Sequence, residues 1–397
     1  MHRREFGKLA ARVASAGMLG SRALASPAVA HDYSELTKHR VAEITTRRVP
    51  YRWPRLVGKN AKRGVHGQDR TDLVAVLKTD QGATGWGLAH PGAGGQAERV
   101  QGKTVSELID PTWGIADGVP QSFDFALHDL AGVILGQPVY KLLGAAGPRK
   151  VPCYSGMIYF DELEPEDNPA GFDRVLANCE WDLDYGYRQL KVKIGRGNRW
   201  YARDKGLRAD IDIVNRIGDR FADRGVELLV DANDGYSERD ARAFLQGVAG
   251  APLVWIEEPF REHRVKTARL HRWMQDNGFA ETLLADGEAQ PDRKLCLGLA
   301  ERGVLGACLH DVHGFGFTPW RRLMPKLAEL GCKASPHAWG TRLKTHYVAH
   351  LAAGLGNCVT VEGVTCESDA IDYGEYPLVE GRLRVSDKPG FGMKLVG

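Results

Sequence analysis

Residues 189–195 read QLKVKIG, and this short run decides the fold. Leu190, Val192 and Ile194 alternate with Lys191 and Lys193, the period of two that sends successive side chains to opposite faces of a strand. Both ammonium groups therefore share one face, and full exposure is hard to arrange among such apolar neighbours. Outward along the chain the same texture recurs. β-rich runs stand at VPCYSGMI (151–158), ELLVDAN (227–233), LVWIEEP (253–259), TLLADGE (282–288), ACLHDV (307–312), KASPHA (333–338) and CVTVEG (358–363). Amphipathic stretches such as RADIDIVNRIGDRFADRG and RDARAFLQGVAG lie between them. Strands alternating with helical patterns predict βαβ units around a parallel sheet. Eight such strands in about 215 residues fit a closed (β/α) barrel better than an open doubly wound sheet. No G-x-G-x-x-G follows a strand, which weakens a dinucleotide fold further.

Composition bounds the rest. The 397 residues are 43% hydrophobic and 26% charged, as expected of a chain that buries a core. A formal charge of +3 predicts no nucleic-acid partner, and no apolar run approaches the ~18 residues of a membrane span. VAEITTRRVPYRW and DLVAVLKTDQGATGWG read as strands joined by a basic loop, 55–70, and SFDFALHDLAGVILGQPVYKLLG reads as helical. Residues 31–150 are thus expected to form an α+β domain and 151–367 the barrel. Residues 368–397, with the hairpin-like VEGRLRVSDKPGFG, are expected to return to the first domain. Residues 1–30 carry HRREFGK, the apolar LAARVASAGMLG and Ala28-Val29-Ala30, and resemble a twin-arginine export signal. Periplasmic location is expected if that leader is read, cytoplasmic if it is not. The seven cysteines show no C-x-x-C spacing and read as small buried hydrophobes.

The functional signal is positional. Nearly every barrel strand ends, on its C-terminal side, in an ionisable or polar residue: Lys191 and Lys193, Asp231 and Asn233, Glu257 and Glu258, Asp286 and Glu288, Asp311, His337, Glu362. In a parallel barrel those ends meet on the face that carries active sites. Asp231, Glu257 and Glu288, about one strand–helix unit apart, make a hard-oxygen set suited to Mg²⁺. Lys193, its affinity for protons lowered by Lys191 and a divalent cation, is a candidate base. His337 is a second candidate across the barrel, with Asp311 placed to fix its tautomer.

Taken in order, LKVKIG, VDAN, WIEEP, ADGEA, HDVHGFGFTPW, SPHAWG and VEG resemble the enolase superfamily, in its mandelate racemase/muconate lactonizing branch and closest to acid-sugar dehydratases. The resemblance covers roughly residues 41–397. It implies a modified (β/α)7β TIM barrel with an N-terminal α+β capping domain, and a homo-oligomer. The implied step is removal of the proton α to a carboxylate, with the enediolate held on magnesium. By position it implies Asp231, Glu257 and Glu288 as metal ligands, with Asn233 and Glu258 beside them. Lys193, with Lys191 as neighbour, is the implied base on one face, and His337 with Asp311 the acid/base on the other. Glu362 is the implied carboxyl that shares a proton with the substrate carboxylate. Asp286 competes with Glu288 as third ligand, and glycine before glutamate favours Glu288. His313 and His66 are expected near substrate. The basic loop (Arg55, Lys59, Asn60, Lys62, Arg63, His66) is expected to suit a hydroxylated anion. The expected reaction is dehydration of a sugar acid to a 2-keto-3-deoxy acid. The alternatives are a racemase, epimerase or cycloisomerase, and a non-catalytic sugar-acid-binding protein.

Overall fold

The computed structural model describes residues 32–397; the export-signal reading falls on residues 1–30, outside them. Three antiparallel strands come first: β1 (Val41–Val57), β2 (Gly67–Thr79) and β3 (Thr84–Leu88). β1 and β2 run further than the expected loop 55–70 allows, leaving only 58–66 between them. The reason is that Val57 still pairs with Gly67 across the ladder. Helix α1 (Asp124–Ile134) packs on β3 through Leu127, Leu130 and Ala131, close enough that a side chain at Gly85 would overlap Leu130.

Eight parallel strands follow: β4 (Lys150–Ile158), β5 (Gln189–Lys193), β6 (Glu227–Asp231), β7 (Leu253–Glu257), β8 (Leu283–Asp286), β9 (Ala307–Cys308), β10 (Lys333–Ala334) and β11 (Val361–Gly363). Each of the first seven is followed by a helix: α2 (Phe172–Tyr185), α3 (Arg203–Arg220), α4 (Glu238–Gly247), α5 (Arg264–Asp276), α6 (Arg293–Ala300), α7 (Phe317–Glu329) and α8 (Arg342–Leu355). This is a (β/α)7β order. Ladders run β10-β9-β8-β7-β6-β5-β4-β11. The ring closes where Ala334 bridges Cys358, with Val359 N–H donating to the Ala334 carbonyl at 3.0 Å.

Alternation sorts the side chains. Tyr154, Leu229, Trp255, Ala285, Ala307 and Leu309 fill the barrel interior as one cluster. Their neighbours Leu190, Val192, Leu228, Val230, Ile256 and Leu284 point outward against α3, α4 and α5 residues such as Val214, Ile217, Phe244 and Leu270. The tail turns back to the first strands and α1: Phe391 N–H donates to Asp129 at 2.7 Å, and Arg47 donates to the Val396 carbonyl at 2.9 Å. All seven cysteines are free, and all but Cys358 are buried. Among the described residues, no helix is long and apolar enough to cross a membrane.

Candidate active site

Strand register brings the charges together. Lys193 pairs with Asp231 and Asp231 with Glu257 across the ladders, each on the inward side of its strand. Glu257, however, sits opposite Ala285, so the third carboxylate is not in register with the first two. Gly287, at φ +113°, turns the chain after β8, and Glu288 reaches the site from that turn. Glu258 holds the turn, accepting the N–H groups of Glu288 and Ala289 at 3.1 and 3.0 Å. Carboxylate oxygens of Asp231, Glu257 and Glu288 then lie within 4.8 Å of one another. Asp286 is not among them; it is buried near Glu262 and Asp234.

Neighbours tie each acid down. Asn233 donates its backbone N–H to Asp231 at 2.8 Å, and the Trp255 indole donates to Glu257 at 3.1 Å. Three carboxylates in so small a buried space repel. Burial, then Asp231, holds Glu257 well above the ordinary carboxylate range despite Lys191. Oε2 of Glu288 is buried with no hydrogen-bond partner. Crowded acids with an oxygen left over fit a divalent cation held by Asp231, Glu257 and Glu288.

The two lysines are buried against this cluster. Lys191 lies 3.2 Å from Glu257, 2.9 Å from Glu362 and 3.8 Å from Asp231. Lys193 makes a short contact with Asp231 and stands over the Tyr159 ring at 5.3 Å. The lowering expected of Lys193 requires a divalent cation at the carboxylates as well as Lys191. Burial and Lys191 do push it down, but Asp231 outweighs them and holds it protonated. Glu362 is buried beside Lys191. It fits into space that a side chain on Gly156 would fill, 2.5 Å from Oε1. Burial favours its neutral form, yet Lys191 and His337 keep it ionised, below the usual range.

On the other side, His337 Nδ1 lies 3.0 Å from Asp311 and Nε2 lies 3.2 Å from Glu288. Asp311 and His337 bridge directly in parallel, which places the Asp311 register. His337 is raised: burial opposes its charge, and Glu288, Glu362 and Asp311 prevail. Asp311 accepts the N–H groups of His313 and Gly314 at 3.0 and 2.6 Å. Lys344, unforeseen in the sequence, donates at 2.9 Å to Asp311 Oδ2, the oxygen that faces His337. It sits two residues into α8, where nothing in the sequence separates it from a surface lysine.

Two further expected residues pack around this cluster. The His313 ring stacks on His90, just past β3, at 4.2 Å, while its backbone N–H donates to Asp311. His66 packs edge-on against Tyr159 and Trp339, at 4.9 and 5.0 Å. It thus shares Tyr159 as a neighbour with Lys193. The basic loop is not a free cationic surface. Arg55 is clamped on Asp182 by two bonds of 2.7 Å, Lys59 pairs with Glu164 at 3.0 Å, and Lys62 pairs with Asp234.

With this geometry in place, known proteins add their testimony. Galacturonate dehydratase from Geobacillus sp., complexed with D-galacturonate and 5-keto-4-deoxy-D-galacturonate, superposes with a TM-score of 0.84 at 29% identity, covering 90% of this chain and 95% of that one. A mandelate racemase/muconate lactonizing protein from Geobacillus sp., complexed with magnesium and tartrate, superposes at 0.85 with 28% identity, covering 91% and 94%. L-talarate/galactarate dehydratase of Salmonella typhimurium is 25% identical over 81% of this chain and 80% of its own length. A hydrophobic dipeptide epimerase of Roseobacter litoralis is 31% identical, over 48% of this chain and 54% of its own. A cycloisomerase and a galactonate dehydratase family member match over 36% and 63% of their lengths, so several curated relatives are matched over less than two thirds of their extent. The magnesium of the tartrate complex suits the carboxylate set described above. The sequence profile of the enolase C-terminal domain-like family matches residues 174–396, and the chain therefore belongs to that family, within the magnesium-dependent enolase superfamily and its mandelate racemase branch.

Proposed function

We propose that this chain dehydrates a sugar acid, taking the proton α to the carboxylate and expelling the β-hydroxyl as water. The observation that carries this reading is the placement of an amine and an imidazole on different members of one carboxylate cluster, Lys193 on Asp231 and His337 on Glu288. Magnesium held by Asp231, Glu257 and Glu288 would supply positive charge where the substrate carboxylate gains negative charge. Lys193 takes the α-proton as a neutral amine, a form it reaches once the charge of Asp231 is engaged by a cation. Lys191 stays an ammonium, since Glu257 and Glu362 flank it, and steadies the same negative charge. His337 keeps its proton at Nε2 while Asp311 fixes Nδ1, the arrangement that delivers a proton to a departing hydroxyl. In the Geobacillus relative, 5-keto-4-deoxy-galacturonate is the α-keto, β-deoxy acid counted from its carboxyl group.

Epimerase and cycloisomerase relatives support a second reading, in which His337 returns the proton to carbon. The complete set of acids and bases argues against a non-catalytic binding protein. Incubation with magnesium and a panel of aldonic, uronic and aldaric acids in deuterated water tests this. Keto acid formation, scored with semicarbazide, is expected. Deuterium at the α-carbon without keto acid would establish the isomerase reading, and binding without either would sink both. Export is a separate proposal: a double Arg3→Lys, Arg4→Lys variant is expected to stay in the cytoplasm on cell fractionation.

A further inference from the structure

We infer that the side of the site covered by loop 58–66 receives an uncharged, hydroxylated chain end, so that the substrate is a monocarboxylate sugar acid and not a diacid, with His66 Nε2 accepting one of its hydroxyls. The inference rests on the sugar-acid reading above and narrows it, since the relatives include enzymes of both kinds.

Charge accounting carries the argument. A second carboxylate, brought into a partly closed site, needs a cation or several N–H donors in compensation. The cations of this loop and of the strand ends beside it are already committed. Arg55 is fixed on Asp182, Lys59 on Glu164 and Lys62 on Asp234. Arg70 donates to the Asp69 and His66 carbonyls and lies over the Trp53 ring at 4.9 Å. Arg63 is left, exposed at the rim.

What faces inward is aromatic and neutral. Trp339 packs on Trp53 at 5.0 Å and on Tyr159 at 5.7 Å, with His66 against both Trp339 and Tyr159. Nδ1 of His66 lies 2.7 Å from the Gly58 carbonyl, which can only accept, so Nδ1 carries the proton and Nε2 is an acceptor. Burial, aided by Lys193, Arg63 and Arg70, pushes the ring down to about 4, so it is neutral at pH 7. The Trp339 indole N–H is buried without a partner. A lone donor beside a lone acceptor suits a hydroxyl, which both gives and accepts; a carboxylate would face the His66 lone pair.

The test is equilibrium binding and turnover of D-galacturonate, D-gluconate and galactarate with magnesium present. The two monoacids are expected to bind at least about tenfold tighter than galactarate, a discrimination of the size one unmatched polar contact gives. His66→Phe is expected to raise KM for the preferred monoacid about tenfold with a smaller change in kcat, and His66→Gln, which retains an acceptor, to recover most of the loss. Tighter binding of galactarate by the wild type would overturn the inference, and its loss on Arg63→Ala would name the cation responsible. An unchanged KM in a folded His66→Phe would overturn the role of His66. If no acid is turned over but the binding preference holds, the dehydratase reading fails and this inference stands.

Discussion

The two proton-handling sides of this site are built differently. On the lysine side, Lys191 and Lys193 are buried on one inward strand face, paired with carboxylates projected by other barrel strands and lying over the Tyr154 and Tyr159 rings. On the histidine side, His337 belongs to a loop after β10, its partner Asp311 caps a one-turn helix, and Lys344 comes from α8. Side chains there keep 11–23% of their exposure. The lysine side is thus fixed by sheet geometry and closed to water, while the histidine side is assembled from three elements at the rim. A base that must be stripped of its proton by local charge suits the first setting. An acid that must be recharged from solvent after each turnover suits the second.

The largest expected effect tests what both sides share. Removing the divalent cation with a chelator is expected to abolish turnover below detection, and magnesium to restore it. Asp231→Asn and Glu257→Gln should lose metal affinity by calorimetry as well as activity.

Next come the two sides separately. Lys193→Ala and His337→Asn are each expected to lower kcat by about 10²–10⁴-fold, the range general acid–base groups supply. They should differ in deuterated water. His337→Asn should still exchange the α-proton of substrate, because Lys193 is intact, whereas Lys193→Ala should not. Equal exchange in both variants would break the division of labour.

Lys344 gives a smaller and more specific effect. Burial raises Asp311, but Lys344, His337 and the Gly314 N–H together hold it well below the ordinary carboxylate range. Lys344→Met is expected to cost about 5–30-fold in kcat, Lys344→Arg to recover part of it, and α-proton exchange to be nearly unaffected.

Finally, the metal-free protein should show the contrast in its stability. His337 is raised in the folded state, so its contribution is fully present below about pH 6.5 and lost as pH climbs through its folded value. Lys193 is raised too, so its contribution is complete below about 10.4 and changes only above that. A thermal scan from pH 6 to 9 should therefore show Tm falling in the wild type and in Lys193→Met, with a flatter response in His337→Gln. A scan that flattens in the lysine variant instead would reverse the assignment.

This difference in construction also explains what was legible in advance. QLKVKIG, VDAN and WIEEP declare their inward faces through simple alternation, so Lys191, Lys193, Asp231 and Glu257 could be placed together before any coordinates. Glu288 was legible as a residue type but not as a position, because a positive-φ glycine carries it past the strand end. The first loop misled for a related reason. Its cations look available in the sequence, and only folding pairs Arg55 with Asp182 and Lys59 with Glu164, more than a hundred residues away.

By itself, then, the order of residues determined the eight-strand alternation, the inward lysines and acids and the carboxylate character of the metal set, since each depends on periodicity within a few residues. Only the tertiary structure decided that Lys344 joins Asp311, that the His313 ring stacks on His90, that His66 sits between Tyr159 and Trp339, and that the capping loop's cations are spent on acids of the barrel. Those facts depend on which distant segments approach one another, and local spacing carries no record of that approach.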